Sequence, residues 1–177
     1  MAGFLFAMLA VLAAGLGARD QVLVARMAPR GAVLVIALVC TLLTSLGAGL
    51  AGQAVAPLLN GPARAMLVAM ALGLAALELL VIRPKRKPDE PTQSLGAFGL
   101  VLLAQQLTDA ARLMIFAIAA ANPLPLAVIA GGVLGSAASV LAGWLGGADW
   151  EKLPLTAIRR SLGLLLALVA VWLAYNR

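Results

Sequence analysis

The chain has 177 residues, 63% hydrophobic and 11% charged, with a mean hydropathy of +1.05, whereas soluble domains carry about 25% charged residues. This composition excludes a soluble domain and describes an all-α protein that crosses a bilayer several times; its 13 Lys and Arg against 7 Asp and Glu sit mainly at the ends of apolar runs, as topology requires, without the aromatic-interleaved basic stripe of a nucleic-acid partner. The absence of histidine and the single cysteine, Cys40, remove His-metal sites, Ser-His and Cys-His catalysis and any intramolecular disulfide, and with no clustered carboxylate and arginine set in their place neither an enzyme nor a bound cofactor is expected.

Six apolar runs follow one another. The first covers about 3–28 and is interrupted by Arg19 and Asp20. A signal peptide cleaved after Ala18 is the alternative, but no Lys or Arg precedes the apolar core, and the pattern resumes after Gln21. Pro29 and Arg30 end this run. The second run, about 31–59, carries no charge, and Asn60-Gly61-Pro62 makes a turn. The third, about 63–82, holds one acid, Glu78, about one and a half turns before Arg83, where it either meets hydration or a nearby base or lies on a proton or ion path. The segment RPKRKPDEPTQ is charged and Pro-rich, the composition of a linker. The fourth run, about 95–121, contains Gln105, Gln106, Thr108, Asp109 and Arg112. The fifth covers about 126–145 and the sixth about 157–175, with Trp172 and Tyr175 as interfacial anchors. Each is long enough to cross about 30 Å of hydrocarbon at 1.5 Å per residue. The expected organisation is therefore six transmembrane helices, with a first three-helix unit at 1–83, a linker at 84–94 and a second unit at 95–177.

Basic residues set the orientation. The odd loops hold Arg26, Arg30, Arg83, Lys85, Arg86, Lys87, Lys152, Arg159 and Arg160, the last two either in the loop or in the first turn of the sixth helix, and the other side only Arg64 and Arg177. The positive-inside rule puts the odd loops in the cytoplasm and both termini outside, as in a multi-pass protein of a bacterial inner membrane.

A shift of 91 residues superimposes the halves. Gly131, Gly135, Ser139, Gly143 and Gly147 fall on Cys40, Thr44, Ala48, Gly52 and Ala56. Spacing of four keeps each ladder on one helix face, where small side chains let backbones approach. At the same offset GARD, 17–20, falls on TDAA, 108–111. Three spans per repeat would invert the second copy and place a substrate site near the midplane.

Ionisable groups at bilayer depth cost roughly 2.5–3.5 kcal/mol each on insertion scales and normally mark function. In an unbroken fourth helix Gln105, Asp109 and Arg112 share a face, with Gln106 beside it, and Asp109 pairs with Arg112. In the first helix Gly15 and Arg19 share a face and Asp20 points about 100° away. If the first and fourth helices meet at the centre, Arg19 faces Asp109 and Asp20 faces Arg112. Those pairs are either structural neutralisation or, with Gln21 and Gln106, a site for a cation or proton.

These motifs resemble the calcium:proton antiporter-2 family, the Gdt-type manganese/calcium exchangers, whose two three-helix repeats each carry a motif of the form E-x-G-D-K-[ST]. GLGARDQ resembles it with Gly15 at the Glu, Gly17 at the Gly, Ala18 at the Asp, Arg19 at the Lys and Asp20 at the Ser/Thr, followed by Gln21. QLTDAA resembles it with Gln106 at the Glu, Thr108 at the Gly, Asp109 at the Asp, and Ala110 and Ala111 last. The resemblance implies a secondary transporter exchanging Mn²⁺ or Ca²⁺ for protons, with Asp109 as metal ligand, Asp20, Gln21 and Gln106 as further ion-binding residues, and Arg19 and Arg112 as ion-pair partners. Of the four acids of that pattern the chain keeps Asp109, while hard divalent cations favour several anionic oxygens. Two acids with two arginines suit a monovalent ion, a zwitterion or an anion better. A membrane scaffold or partner subunit that retains the fold, and a small exporter of a zwitterionic solute, stay open as alternatives, as does a homodimer.

Overall fold

The computed structural model describes residues 1–28, 30–82, 94–147, 149 and 153–176, and is all-helical over them. Eight helices follow in order: α1 (Ala2–Gly15), α2 (Arg19–Met27), α3 (Gly31–Val55), α4 (Gly61–Val81), α5 (Leu95–Leu107), α6 (Ala110–Ala121), α7 (Pro125–Gly146) and α8 (Leu155–Tyr175). Four of them are long and apolar enough to cross a membrane. The first and fourth apolar runs differ from the continuous helices expected. Each is a bent pair, α1–α2 at 69° and α5–α6 at 50°, so the spans number four, or six if each pair is one broken span. Of the 84–94 linker only Ser94 is described, and Pro29, Arg83, Lys152 and Arg177 also lie outside the described residues.

Local chemistry explains the boundaries. Asn60 caps α4 by accepting from the Ala63 amide at 2.9 Å, and Pro62 fills the first turn, where a missing N–H costs nothing. Ser94 caps α5 through the Ala97 amide at 3.1 Å. Gly17 turns the chain between α1 and α2 at φ +70°, a conformation that costs a residue with a Cβ about 1–2 kcal/mol. Between α5 and α6, Thr108 leaves the helix and Asp109 becomes the N-cap of α6, accepting from the Arg112 amide at 2.8 Å.

The small-residue ladders are where the bent pairs dock. A Cβ at Gly131 or Gly135 of α7 would run into the backbone carbonyls of Phe4 or Met8 on α1, and one at Gly52 of α3 into the Phe116 carbonyl on α6. Only glycine permits these approaches. The α3 ladder continues with Cys40 Sγ 3.8 Å from the Gly99 carbonyl of α5. So α7 carries α1 and α2, while α3 carries α5 and α6.

Two apolar clusters flank the breaks. One joins Val11 and Ala14 of α1 to Leu72 and Ala75 of α4, Ala111 and Ile115 of α6, and Ala170 of α8. The other joins Val24 of α2 to Ala37 of α3, Phe98 and Leu102 of α5, and Val140 of α7. α1 thus lies level with α6, and α2 with α5, so the two bent pairs run in opposite directions. Their breaks meet at the boundary between the clusters.

A candidate ion site at two helix breaks

Both breaks end in residues that turn inward. Asp20, in the first turn of α2, accepts the Gln21 amide at 2.8 Å through Oδ1. Its other oxygen accepts from Gln106 Nε2 at 3.0 Å and lies 3.6 Å from Arg112 Nη1. Asp109 caps α6 with Oδ1 and receives Arg112 Nη1 on Oδ2 at 2.7 Å. One guanidinium therefore serves two carboxylates, each at the positive end of a half-helix, where an anion is favoured. Both acids and Arg112 are at most 5% exposed.

Amide and hydroxyl groups complete this cluster. Gln106, fully buried, also donates to Thr41 Oγ1 at 2.9 Å, and its Oε1 lies 3.1 Å from Thr44 Oγ1. The Thr44 hydroxyl in turn accepts Arg112 Nε at 3.1 Å. Gln21 does separate work at the first break. Its Oε1 accepts the Gly17 amide at 2.6 Å, and its Nε2 donates to the Ser139 carbonyl at 2.7 Å and to Ser139 Oγ at 3.1 Å. Gln21 thereby ties the turn to α7. Ser139 also packs against the end of α1, where a Cβ at Gly15 would fall 2.5 Å from its Oγ.

The expected contacts divide. Asp20 does meet Arg112, and Asp109 pairs with Arg112, but across a cap rather than along a continuous helix. Arg19 does not take the expected place opposite Asp109: its Nη2 donates to Thr108 Oγ1 at 3.4 Å, because the break swings α2 away from the axis of α1. The same break cancels the shared face expected for Gly15 and Arg19. Gln106 rather than Gln105 enters the centre, and Gln105 is left half-buried with Oε1 unpartnered among the described residues.

A second ionic centre lies beside the first. Arg159, expected near a loop, is in the second turn of α8 and 2% exposed. Its Nη2 reaches both Glu78 oxygens, at 2.9 and 2.7 Å, so of the two boundary roles expected for Glu78 the structure shows pairing with a base, buried against α8, rather than hydration. Glu78 and Thr108 line one groove of about 380 Å³ with Leu74, Leu107 and Leu113. Thr41 and Arg159 were the site residues least visible in sequence, Thr41 being marked only by its polarity within an uncharged run; Thr44 and Ser139 were visible as members of the small-residue ladders but not as site residues.

Among the described residues no group of three or more carboxylate or thiol side chains is placed to hold a metal. Compared with known proteins, the chain matches no family model, no curated protein and no solved structure.

Proposed function

We propose that the protein is a secondary transporter in which Asp20 and Asp109 take up a proton or a cation in exchange for the Arg112 guanidinium. One observation carries this reading: two buried acids, each at the start of the second half of a bent apolar pair, converge on a single arginine. Discontinuous spans whose half-helix ends meet at the midplane are the arrangement from which transporters build ion sites. A proton or cation on either acid would weaken its hold on Arg112 and free that side chain to move.

Three features support the inverted-repeat form. The bent pairs lie antiparallel, each ladder docks the broken span of the other half, and contacts repeat at the 91-residue offset. Cys40 meets Gly99 of α5, and the positions 91 residues away, Gly131 and Met8, also lie together. α4 packs on α6, and no equally extensive contact joins α8 to α2, so the relation is approximate. The basic residues support cytoplasmic odd loops, eight against two once buried Arg159 is set aside.

Exchange of Mn²⁺ or Ca²⁺ for protons is the form the antiporter resemblance suggests. Asp20, Asp109, Gln106, Thr41 and Thr44 could offer oxygens to such an ion only after Arg112 had left, because guanidinium and divalent cation compete for the same carboxylates. A second reading, a non-transporting scaffold, is favoured by the tight packing of these ion pairs, which neutralise one another without any ligand.

Proteoliposomes with an internal pH indicator separate the two. Wild type is expected to dissipate a proton gradient when Mn²⁺, Ca²⁺ or a monovalent cation is added outside, and Asp109→Asn to fall to the rate of empty vesicles. If the two proteins are indistinguishable with every cation, the transport reading fails and the scaffold remains.

A further inference from the structure

The central cluster carries two acids and one base. The neighbouring centre has the opposite balance, with Arg19 and Arg159 against Glu78 alone. These three residues are gathered between the two breaks. Arg159 ion-pairs with Glu78, and Arg19 bonds Thr108, which lines the same groove as Glu78. The stem of Arg159 lies against the first break, since a Cβ at Gly17 would fall 3.3 Å from its Cδ.

The guanidinium donors here are not used up. Among the described residues Arg159 Nε and Nη1 and Arg19 Nε are buried and have no hydrogen-bond partner. Buried donors without acceptors are costly, more so within a bilayer, where water does not compensate them. Glu78 absorbs one positive charge and leaves an excess of one. A surplus cation with spare donors, bonded to a threonine that lines an otherwise largely apolar groove, is chemistry for an anionic oxygen ligand.

We infer that Arg19 and Arg159 form an anion subsite, entered past Glu78 and Thr108, that takes a small carboxylate. Its ligand accepts from the free guanidinium nitrogens while Glu78 stays on Arg159 Nη2. Resting on the transport reading, the subsite also narrows the cargo to a solute with a carboxylate at this end and a proton or ammonium at the Asp20–Asp109 end.

Acetate and glycine are the probes, titrated into purified full-length protein in detergent at constant ionic strength, with chloride as the control anion. Saturable binding of acetate or glycine is expected for wild type. Arg19→Gln should weaken it about tenfold or more, the order expected for loss of a charged hydrogen-bond donor, and Arg19→Lys should restore part of it. Because Arg159→Gln would strand Glu78, the second variant is Glu78→Gln with Arg159→Gln, which removes the pair together and should abolish binding. No saturable binding to wild type, affinity unchanged in both variants, or equal competition by chloride at matched concentration overturns the carboxylate subsite. Asp109→Asn is expected to keep acetate binding while losing cation-driven proton flux. Acetate binding without wild-type flux would remove only the transport reading; Asp109-dependent flux without acetate binding would remove only the subsite.

Discussion

The two breaks solve one problem with different chemistry. A broken helix inside a membrane exposes amides and carbonyls that lipid cannot satisfy. At the first break a neutral amide does the work: Gln21 accepts the Gly17 amide and donates to Ser139, and Gly17 supplies a backbone angle that few other residues adopt. At the second break charge does it: Asp109 caps α6 and holds Arg112, which reaches on to Asp20. The turn of the first break is thus held by an uncharged side chain, while its one acid, Asp20, reaches past it to Gln106 and Arg112. The second makes the local fold depend on the pairing of a carboxylate with Arg112, which on the transport reading is where a coupled ion acts.

This contrast predicts an order of effects in reversible unfolding in mixed micelles. Asp109→Ala should cost most, about 3–5 kcal/mol, because it leaves a buried arginine short of a partner. Adding Arg112→Ala should recover much of that loss but not the cap, itself worth about 0.5–2 kcal/mol. If the double variant is no more stable than Asp109→Ala, the charge-held description of the second break is wrong. Gln21→Ala should cost less, about 1–3 kcal/mol for stranded buried partners, and an effect equal to that of Asp109→Ala would erase the distinction. Gly17→Ala should cost about 1–2 kcal/mol from its backbone angle, with a further loss because the new methyl would fall 2.8 Å from Leu155 Cβ. The smallest change is expected at Gly47 of α3, where a Cβ meets nothing within 4 Å. There Ala should be neutral or stabilise by up to about 1 kcal/mol, whereas Gly52→Ala on the same helix should destabilise by collision with the Phe116 carbonyl.

The apolar helical segments were legible because apolar length is a strong signal, and the small-residue ladders because a spacing of four survives any helix geometry. The breaks were not, although both carried signs. Gly15-Leu16-Gly17 precedes a new helix start, and Thr108-Asp109 is a capping pair followed by three good helix formers, Ala110, Ala111 and Arg112. Apolar runs of membrane length outweighed those signs, and a continuous helix then misassigned Arg19 and Gln105. Asp20 meeting Arg112 was still readable, since both follow a break and move inward with it. Arg159 was misread because its position near a loop suggested topology, while its burial depends on α8 packing against α4, which sequence does not display.

The six ionisable residues around the breaks, Arg19, Asp20, Glu78, Asp109, Arg112 and Arg159, comprise three acids and three bases. With all six charged, a rearrangement that carries them together moves no net charge across the bilayer. A membrane potential does about 2.3 kcal/mol of work per elementary charge per 100 mV, and on such an empty core it does none. On the transport reading proposed above, voltage biases only the steps in which a bound ion or proton upsets the balance, and the return of the unloaded protein should run at the same rate in polarised and depolarised vesicles.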